Sequence, residues 1–266
     1  MNSQFSNSAG ANAVEVRDLR RGFDGQQVLN GVNLDCPRKL ITTIVGPSGC
    51  GKTVLLKHLN LLLRPDSGTI LIDGIDVTML GPRGLDEVRE KFGMLFQAGA
   101  LFDSMSVFDN VAFPLVEKTR LGVSEIAAKV HEKLAAVGLE GMGHKFPSEV
   151  SGGMQKRAAL ARALIREPEI LMLDEPTTGL DPTRVGSIHA LIRRTQQRFG
   201  LSAIMVSHDV PEVFEISDRV AFMHEGKIRL YGTVAEVMAA DDEVFKHFLA
   251  GRAAVEEEAG LDAGGR

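Results

Sequence analysis

The run Gly46-Pro47-Ser48-Gly49-Cys50-Gly51-Lys52-Thr53 has the spacing G-x-x-x-x-G-K-[ST], a pattern suited to holding a chain of phosphates. Glycines at 46, 49 and 51 let the backbone close around phosphate oxygens with its N–H groups turned inward. A helix starting at the loop adds the partial positive charge of its N-terminus. Lys52 is then expected to reach the β- and γ-phosphates, and the Thr53 hydroxyl to bind Mg²⁺. A second cluster, Leu171-Met172-Leu173-Asp174-Glu175-Pro176, ends an apolar strand in two carboxylates. Adjacent acids can divide the work: Asp174 holds the Mg²⁺ shell, and Glu175 faces an attacking water as general base. Alone, such a pair would be a solvated turn or a helix cap. The phosphate loop upstream and His208 downstream argue against that. A third cluster is Ser151-Gly152-Gly153-Met154-Gln155, where Ser151 caps a helix predicted to begin near Gly153 and leaves exposed N–H groups as another anion site. Cys50, beside Lys52 and near a helix N-terminus, is expected to be an activated thiol; the alternative is an inert thiol packed beneath the loop.

These groups need elements that bring them to one edge. Val14–Arg20 and Val28–Cys36 show partial strand alternation around the turn Asp24-Gly25-Gln26-Gln27. Leu40–Val45 reads as a buried strand, followed by the phosphate loop and a helix from Lys52 to about Leu62. Thr69–Asp73 reads as a strand, Asp86–Lys91 as a helix and Phe92–Phe96 as a short strand reaching Gln97. From Ala98 to Glu167 the pattern is helical, including a helix capped by Ser124, with Ile126, Val130, Leu134 and Val137 on its apolar face, closed by Gly138. Strand Ile170–Leu173, helix Thr183–Phe199 and strand Leu201–Val206 follow, with Asp181-Pro182 as N-cap and first turn of that long helix. Asp218–Met223 and Lys227–Tyr231 form a hairpin around Glu225-Gly226. The expected fold is α/β: a parallel-sheet core with a β-rich start and an inserted helical segment, and Asp174-Glu175 at the ligand edge of the sheet.

Composition narrows the classes. The 266 residues suit one large unit, and 30 basic against 35 acidic residues give a formal net charge of −5 with no basic block for a nucleic-acid backbone. No apolar run approaches the roughly 20 residues needed to span a bilayer, so any membrane connection is expected through a partner. Residues 1–13 lack the basic-then-apolar order of a secretory signal and read as flexible. Residues 252–266, with Glu256-Glu257-Glu258, read as a solvated tail. Two cysteines, Cys36 and Cys50, one of them inside the phosphate loop, point to a reducing compartment.

Ser-Gly-Gly at a helix start, nineteen residues before a strand ending Asp174-Glu175 and about a hundred after the phosphate loop, resembles the ATPase subunit of ABC transporters. The resemblance runs from about Val14 to Gly232. It implies a P-loop NTPase core (14–97 and 168–232) with an N-terminal antiparallel β subdomain, a helical subdomain (98–167) and a C-terminal helical segment (233–251). It also implies ATP and Mg²⁺ as ligands and a homodimer in which Ser151, Gly152 and Gly153 complete the partner's ATP site. By resemblance, Gln97 senses Mg²⁺ and water, His208 contacts the γ-phosphate, Asp181 lies on the loop crossing the dimer interface, and Phe23 stacks on adenine. A Phe between Gly22 and Asp24 is also compatible with turn packing. Val150 and Met154 stand where the family pattern has Leu and Gln, and Met154 cannot replace a Gln hydrogen bond.

Phe96-Gln97-Ala98-Gly99-Ala100-Leu101-Phe102-Asp103-Ser104-Met105-Ser106-Val107, then Phe108-Asp109-Asn110-Val111, and Ser207-His208-Asp209-Val210-Pro211-Glu212-Val213 look like the MlaF branch of these ATPases, which energise movement of phospholipids or other lipids in bacterial envelopes. The branch implies an integral membrane permease, an MCE-type lipid-binding protein and a small STAS-type regulatory subunit as partners. It also implies a position on the cytoplasmic face of the inner membrane. Leu101, Phe102, Met105, Val107 and Phe108 are then either core or the groove for a permease helix. Rival readings are the ATPase of an amino-acid-type importer, or a soluble ABC protein of DNA repair or translation. Long coiled-coil insertions or a second ATPase domain would favour the soluble class, and the sequence has neither.

Overall fold

The computed structural model describes residues 11–97 and 99–251. Strands β1 (Asn12–Phe23) and β2 (Gln26–Pro37) pair antiparallel through a turn in which Asp24 and Gly25 take φ of 48° and 80°. Two positive φ values match the twist of the strands they join. Next come β3 (Ile41–Val45), α1 (Lys52–Leu59), β4 (Ser67–Ile72), β5 (Ile75–Asp76), α2 (Pro82–Arg89) and β6 (Phe92–Leu95). The helical insert holds α3 (Val107–Lys118), α4 (Val123–Ala136) and α5 (Gly152–Leu164). The chain then returns through β7 (Ile170–Asp174), α6 (Pro182–Phe199), β8 (Ser202–Val206), β9 (Arg219–His224), β10 (Lys227–Gly232), α7 (Val234–Met238) and a last helix, α8, over 243–251.

Two sheets result. The smaller is antiparallel in the order β2-β1-β4-β5; the larger runs β10-β9-β3-β8-β7-β6. Within it β9, β3, β8, β7 and β6 are parallel, and β10 closes one edge antiparallel. Alternation along the central strands divides their side chains between two cores. Val45, Leu171, Leu173, Ala203, Met205 and Phe222 face one core with α3–α6, where Phe245 of α8 packs 5.0 Å from the Phe222 ring. Ile44, Ile170, Met172, Ile204, Val206 and Met223 face the other, shared with α1 and the small sheet. The Tyr231 hydroxyl, donating to the Asp35 carbonyl at 2.7 Å, ties β10 to β2. A sheet buried on both faces leaves its strand ends as the place for polar chemistry.

The structure corrects several boundaries. Asn12 and Ala13, placed in the flexible start by the sequence, belong to β1, and Ala13 is buried against the second core. Residues 1–10, Ala98 and the tail 252–266 lie outside the described residues. Ser124 does not cap α4; Gly122 occupies the N-cap, and its N–H donates to Glu125 Oε2 at 2.9 Å, so the helix starts before Ser124. Asp181 does sit at the N-cap of α6, but its carboxylate accepts from Thr183 Oγ1 and pairs with Arg184 at 3.0 Å instead of holding a helix N–H.

Candidate active site

The parallel strands deliver the candidate residues to one edge. The phosphate loop follows β3, Gln97 follows β6, Asp174 ends β7 with Glu175 next, and His208 lies two residues beyond β8. In the loop, Gly49 and Gly51 take φ of 78° and 105°. A Cβ at Gly46 would lie 2.1 Å from the Met223 carbonyl oxygen, so only glycine fits there. Lys52 is buried; its Nζ donates to the Gly46 and Pro47 carbonyls, each at 2.8 Å, and so lies over the loop that it is expected to serve. Pro47 and Thr53 are half-buried, while Ser48 and Gly49 are exposed at the loop tip.

Cys50 resolves against the activated thiol. It packs with the second core beneath the loop, 8% exposed. Burial raises its pKa, and that outweighs the opposing pull of Lys52. At pH 8 the thiolate fraction is therefore below that of an ordinary cysteine and grows only as pH rises further. Alkylation of the folded protein by iodoacetamide at pH 8 is expected to run at least about tenfold slower than in denaturant, with Mg–ATP making little further difference. Mass-spectrometric labelling rates check this; fast labelling that ATP blocks would restore the activated thiol.

The acidic pair divides as its surroundings dictate. Asp174 is 8% exposed, and its Oδ1 has no hydrogen-bond partner among the described residues. Burial, then the neighbouring Glu175, push its carboxyl pKa up, while Lys57 and Lys52 pull it down. A buried carboxylate with an unmet oxygen suits a hard cation. The oxygens available on Thr53, Asp174 and Gln97 suit Mg²⁺. Glu175 takes φ of 46°, a conformation that L-residues adopt at a cost, and its N–H donates to the Val206 carbonyl at 2.9 Å. Its Oε2 is held by Gln97 Nε2 at 2.8 Å and Thr178 Oγ1 at 3.0 Å, and His208 Nδ1 lies 3.4 Å away. Gln97, Glu175 and His208 thus converge on one oxygen.

Ser151, Gly152 and Gly153 lie elsewhere. Ser151 Oγ accepts from Met154 N at 3.4 Å as the N-cap of α5, which begins at Gly152, one residue earlier than expected. Among the described residues, no hydrogen bond or ion pair joins 151–153 to the loop 46–53. A Cβ at Gly152 would find only Leu180, at 3.7 Å, and one at Gly153 only Arg184, at 4.0 Å. Packing among the described residues therefore does not demand these glycines. Met154, at the position of the family Gln, packs against the main core. Phe23 ends β1 with 37% of its surface exposed and the Arg21 guanidinium 4.7 Å from its ring centre.

The ABC transporter family model matches residues 29–178, a span holding the phosphate loop, the Ser151 segment and the acidic pair. The chain belongs to the ABC transporter family. The intermembrane phospholipid transport system ATP-binding protein MlaF of Haemophilus influenzae is 45% identical over 240 residues, covering 90% of this chain and 91% of that protein. MlaF of Escherichia coli strain K12 is 43% identical over 241 residues, covering 91% and 90%. The probable ribonucleotide transport ATP-binding protein mkl of Mycobacterium leprae is 42% identical over 240 residues, covering 90% and 69%. Among solved structures, cbiO1 from Clostridium perfringens, part of the ABC transporter complex cbiONQ, superposes with a TM-score of 0.81 at 35% identity, over 89% of this chain and 94% of cbiO1. The cassette MJ0796, a post-hydrolysis dimer bound to ADP and Pi, has a TM-score of 0.74 at 28% identity, over 83% and 98%.

This ABC subunit is an ATPase, and its structure adds residues that sequence reasoning passed over. Thr178 holds Glu175 directly. Lys156, whose pKa burial lowers, donates to the Gln97 carbonyl and so fixes the start of the helical insert. Asp209 stands 3.6 Å from His208 Nε2. Asp209 lay within a segment read for its likeness alone, and its adjacency to His208 was the available signal.

Proposed function

We propose that the chain is the ATP-hydrolysing subunit of a transporter that moves phospholipid or a related lipid between bacterial envelope membranes. The carrying observation is the 43–45% identity to MlaF proteins across nine-tenths of the chain. The subunit acts as a homodimer on the cytoplasmic face of an integral permease, with MCE-type and STAS-type partners by resemblance. No helix among the described residues is long and apolar enough to cross a membrane. Phe102, 42% exposed in the helical insert, suits the permease groove, whereas Val107 is core. The proposed division is a RecA-like core at 14–97 and 168–232, a helical subdomain at 98–167 and a C-terminal segment at 233–251.

In this reading Phe23 stacks on adenine, and the loop Gly46–Thr53 with Lys52 wraps the phosphates. Thr53, Gln97 and Asp174 hold Mg²⁺, which when bound neutralises charge on the β- and γ-phosphates. Glu175, its Oε2 held by Gln97 and Thr178, accepts the proton of the attacking water. His208 lies beside it to contact the γ-phosphate. Ser151, Gly152, Gly153 and Asp181 serve the opposite subunit.

The test is copurification with the permease followed by lipid analysis of the complex, with ATP turnover measured in phospholipid vesicles. Bound phospholipid and vesicle-stimulated turnover are expected. Stimulation by ribonucleotides or amino acids instead would place the chain with small-solute importers, and turnover with no membrane partner would place it with the soluble class.

A further inference from the structure

His208 has a carboxylate on each side. Its Nδ1 lies 3.4 Å from Glu175 Oε2, and its Nε2 lies 3.6 Å from Asp209 Oδ1. The second carboxylate is itself firmly placed. Asp209 N–H donates to Ser207 Oγ at 3.1 Å, and its carbonyl accepts from Val213 N–H at 2.8 Å. Its Oδ2 accepts a close hydrogen bond from the hydroxyl of Thr177, which is buried.

Behind Oδ2, at 3.9 Å, stands His189 Nε2, on α6 and 3% exposed. Neither ring nitrogen of His189 has a hydrogen-bond partner among the described residues. Burial holds this ring toward its neutral form against the pull of Asp209, Glu212 and Glu215. No lysine or arginine pairs with Asp209 among the described residues. With a hydroxyl and a neutral ring at its back, the carboxylate directs its charge at His208. At 3.6 Å the carboxylate is beyond direct hydrogen-bond reach, so it orients the ring by charge and leaves that nitrogen able to meet another acceptor.

Thr177 adds a second link. It stands two residues before the loop Gly179–Asp181, and Leu180 N–H donates to its carbonyl at 3.1 Å. Thr177 thus joins that loop, through its carbonyl, to Asp209, through its hydroxyl.

We propose that Asp209 is the positioning residue of His208, holding the imidazole against Glu175, and that Thr177 makes this hold depend on the loop Gly179–Asp181. The inference rests on the reading of Glu175 and His208 as hydrolytic residues. It assigns Asp209 no contact with ATP.

The experiment is a double-mutant cycle in steady-state ATP turnover of the full chain. Asp209→Asn is expected to lower kcat by about 10–100-fold, the range for a group that orients another, with KM for ATP moving less than about twofold. In a His208→Ala background the same change should cost less than about threefold more, because its object has gone. The ¹⁵N resonances of the His208 ring should also shift in Asp209→Asn. Thr177→Val, which alters no charge and remains testable if Asp209→Asn does not fold, should lower kcat severalfold, and Thr177→Ser should restore it. An equal loss from Asp209→Asn with and without His208, or unmoved His208 resonances, would show a structural role only and overturn the proposal. Full activity of Thr177→Val would remove the loop link. Full activity of His208→Ala would instead overturn the hydrolytic reading beneath it.

Discussion

Glu175→Gln should bind Mg–ATP with near-normal affinity and lose hydrolysis by about 10²–10⁴-fold, the range for removing a positioned base. The geometry makes this substitution clean. Gln97, Thr178 and His208 all address Oε2, and among the described residues no hydrogen bond reaches Oε1. An amide oriented with its oxygen toward Gln97 and Thr178 keeps those two bonds, so the loss falls on proton acceptance and not on shape. The positive φ of Glu175 is equally available to Gln. In the proposed reading each ATP is held between two subunits, so a variant that binds ATP without hydrolysing it should also accumulate an ATP-bound dimer. Phosphate release, nucleotide titration and size-exclusion chromatography measure the three consequences. Lys52→Ala should behave differently and lose nucleotide binding itself, because the ammonium expected to reach the β- and γ-phosphates is removed. Near-normal turnover by Glu175→Gln would show that another group accepts the proton.

Much of this site was legible because its chemistry is local in sequence. A phosphate loop needs contiguous residues, and Asp174-Glu175 needs only a strand that stops there, so both could be read directly. What depends on contacts distant in sequence was not legible. Thr178 reaches Glu175 because the chain turns back after β7, and Lys156 reaches the Gln97 carbonyl across 59 residues. Cys50 was misjudged for a related reason. Its lysine neighbour is visible in sequence, whereas the core that desolvates it is assembled from β2, α1 and the central sheet.

The fold shows the same division. Central strands buried on both faces read as continuous apolar runs, so their presence was plain although their two-sided alternation was not. The length of β1 was underestimated because its pairing with β2 shifts register between Val16 and Leu19 and again before Gly22, which breaks the period of two. The start of α4 was misplaced because serine is the stronger cap by type, while Glu125 reaching back to the Gly122 N–H decides it here.

Ser151→Arg, made in the Glu175→Gln background, should abolish ATP-dependent dimerisation while leaving ATP binding by the monomer intact. Among the described residues, the glycines of the helix start at Ser151 meet no close packing, and no hydrogen bond ties that start to its own phosphate loop. The lost cap, a 3.4 Å bond to Met154 N, should cost about 0.5–2 kcal/mol, too little to unfold a large domain. The added side chain would occupy the space that a second subunit's triphosphate needs. Binding and assembly should therefore separate: the nucleotide Kd unchanged within about threefold, and the dimer peak gone. Mixing Ser151→Arg with Lys52→Ala sharpens the case, because in the mixed dimer one composite site carries both lesions and the other carries neither. Returning hydrolysis would show complementation in trans, whereas its absence is also expected if both sites must be filled. Dimerisation of Ser151→Arg alone is thus the deciding measurement, and a full-strength dimer would sink the assignment of Ser151, Gly152 and Gly153 to a partner's ATP.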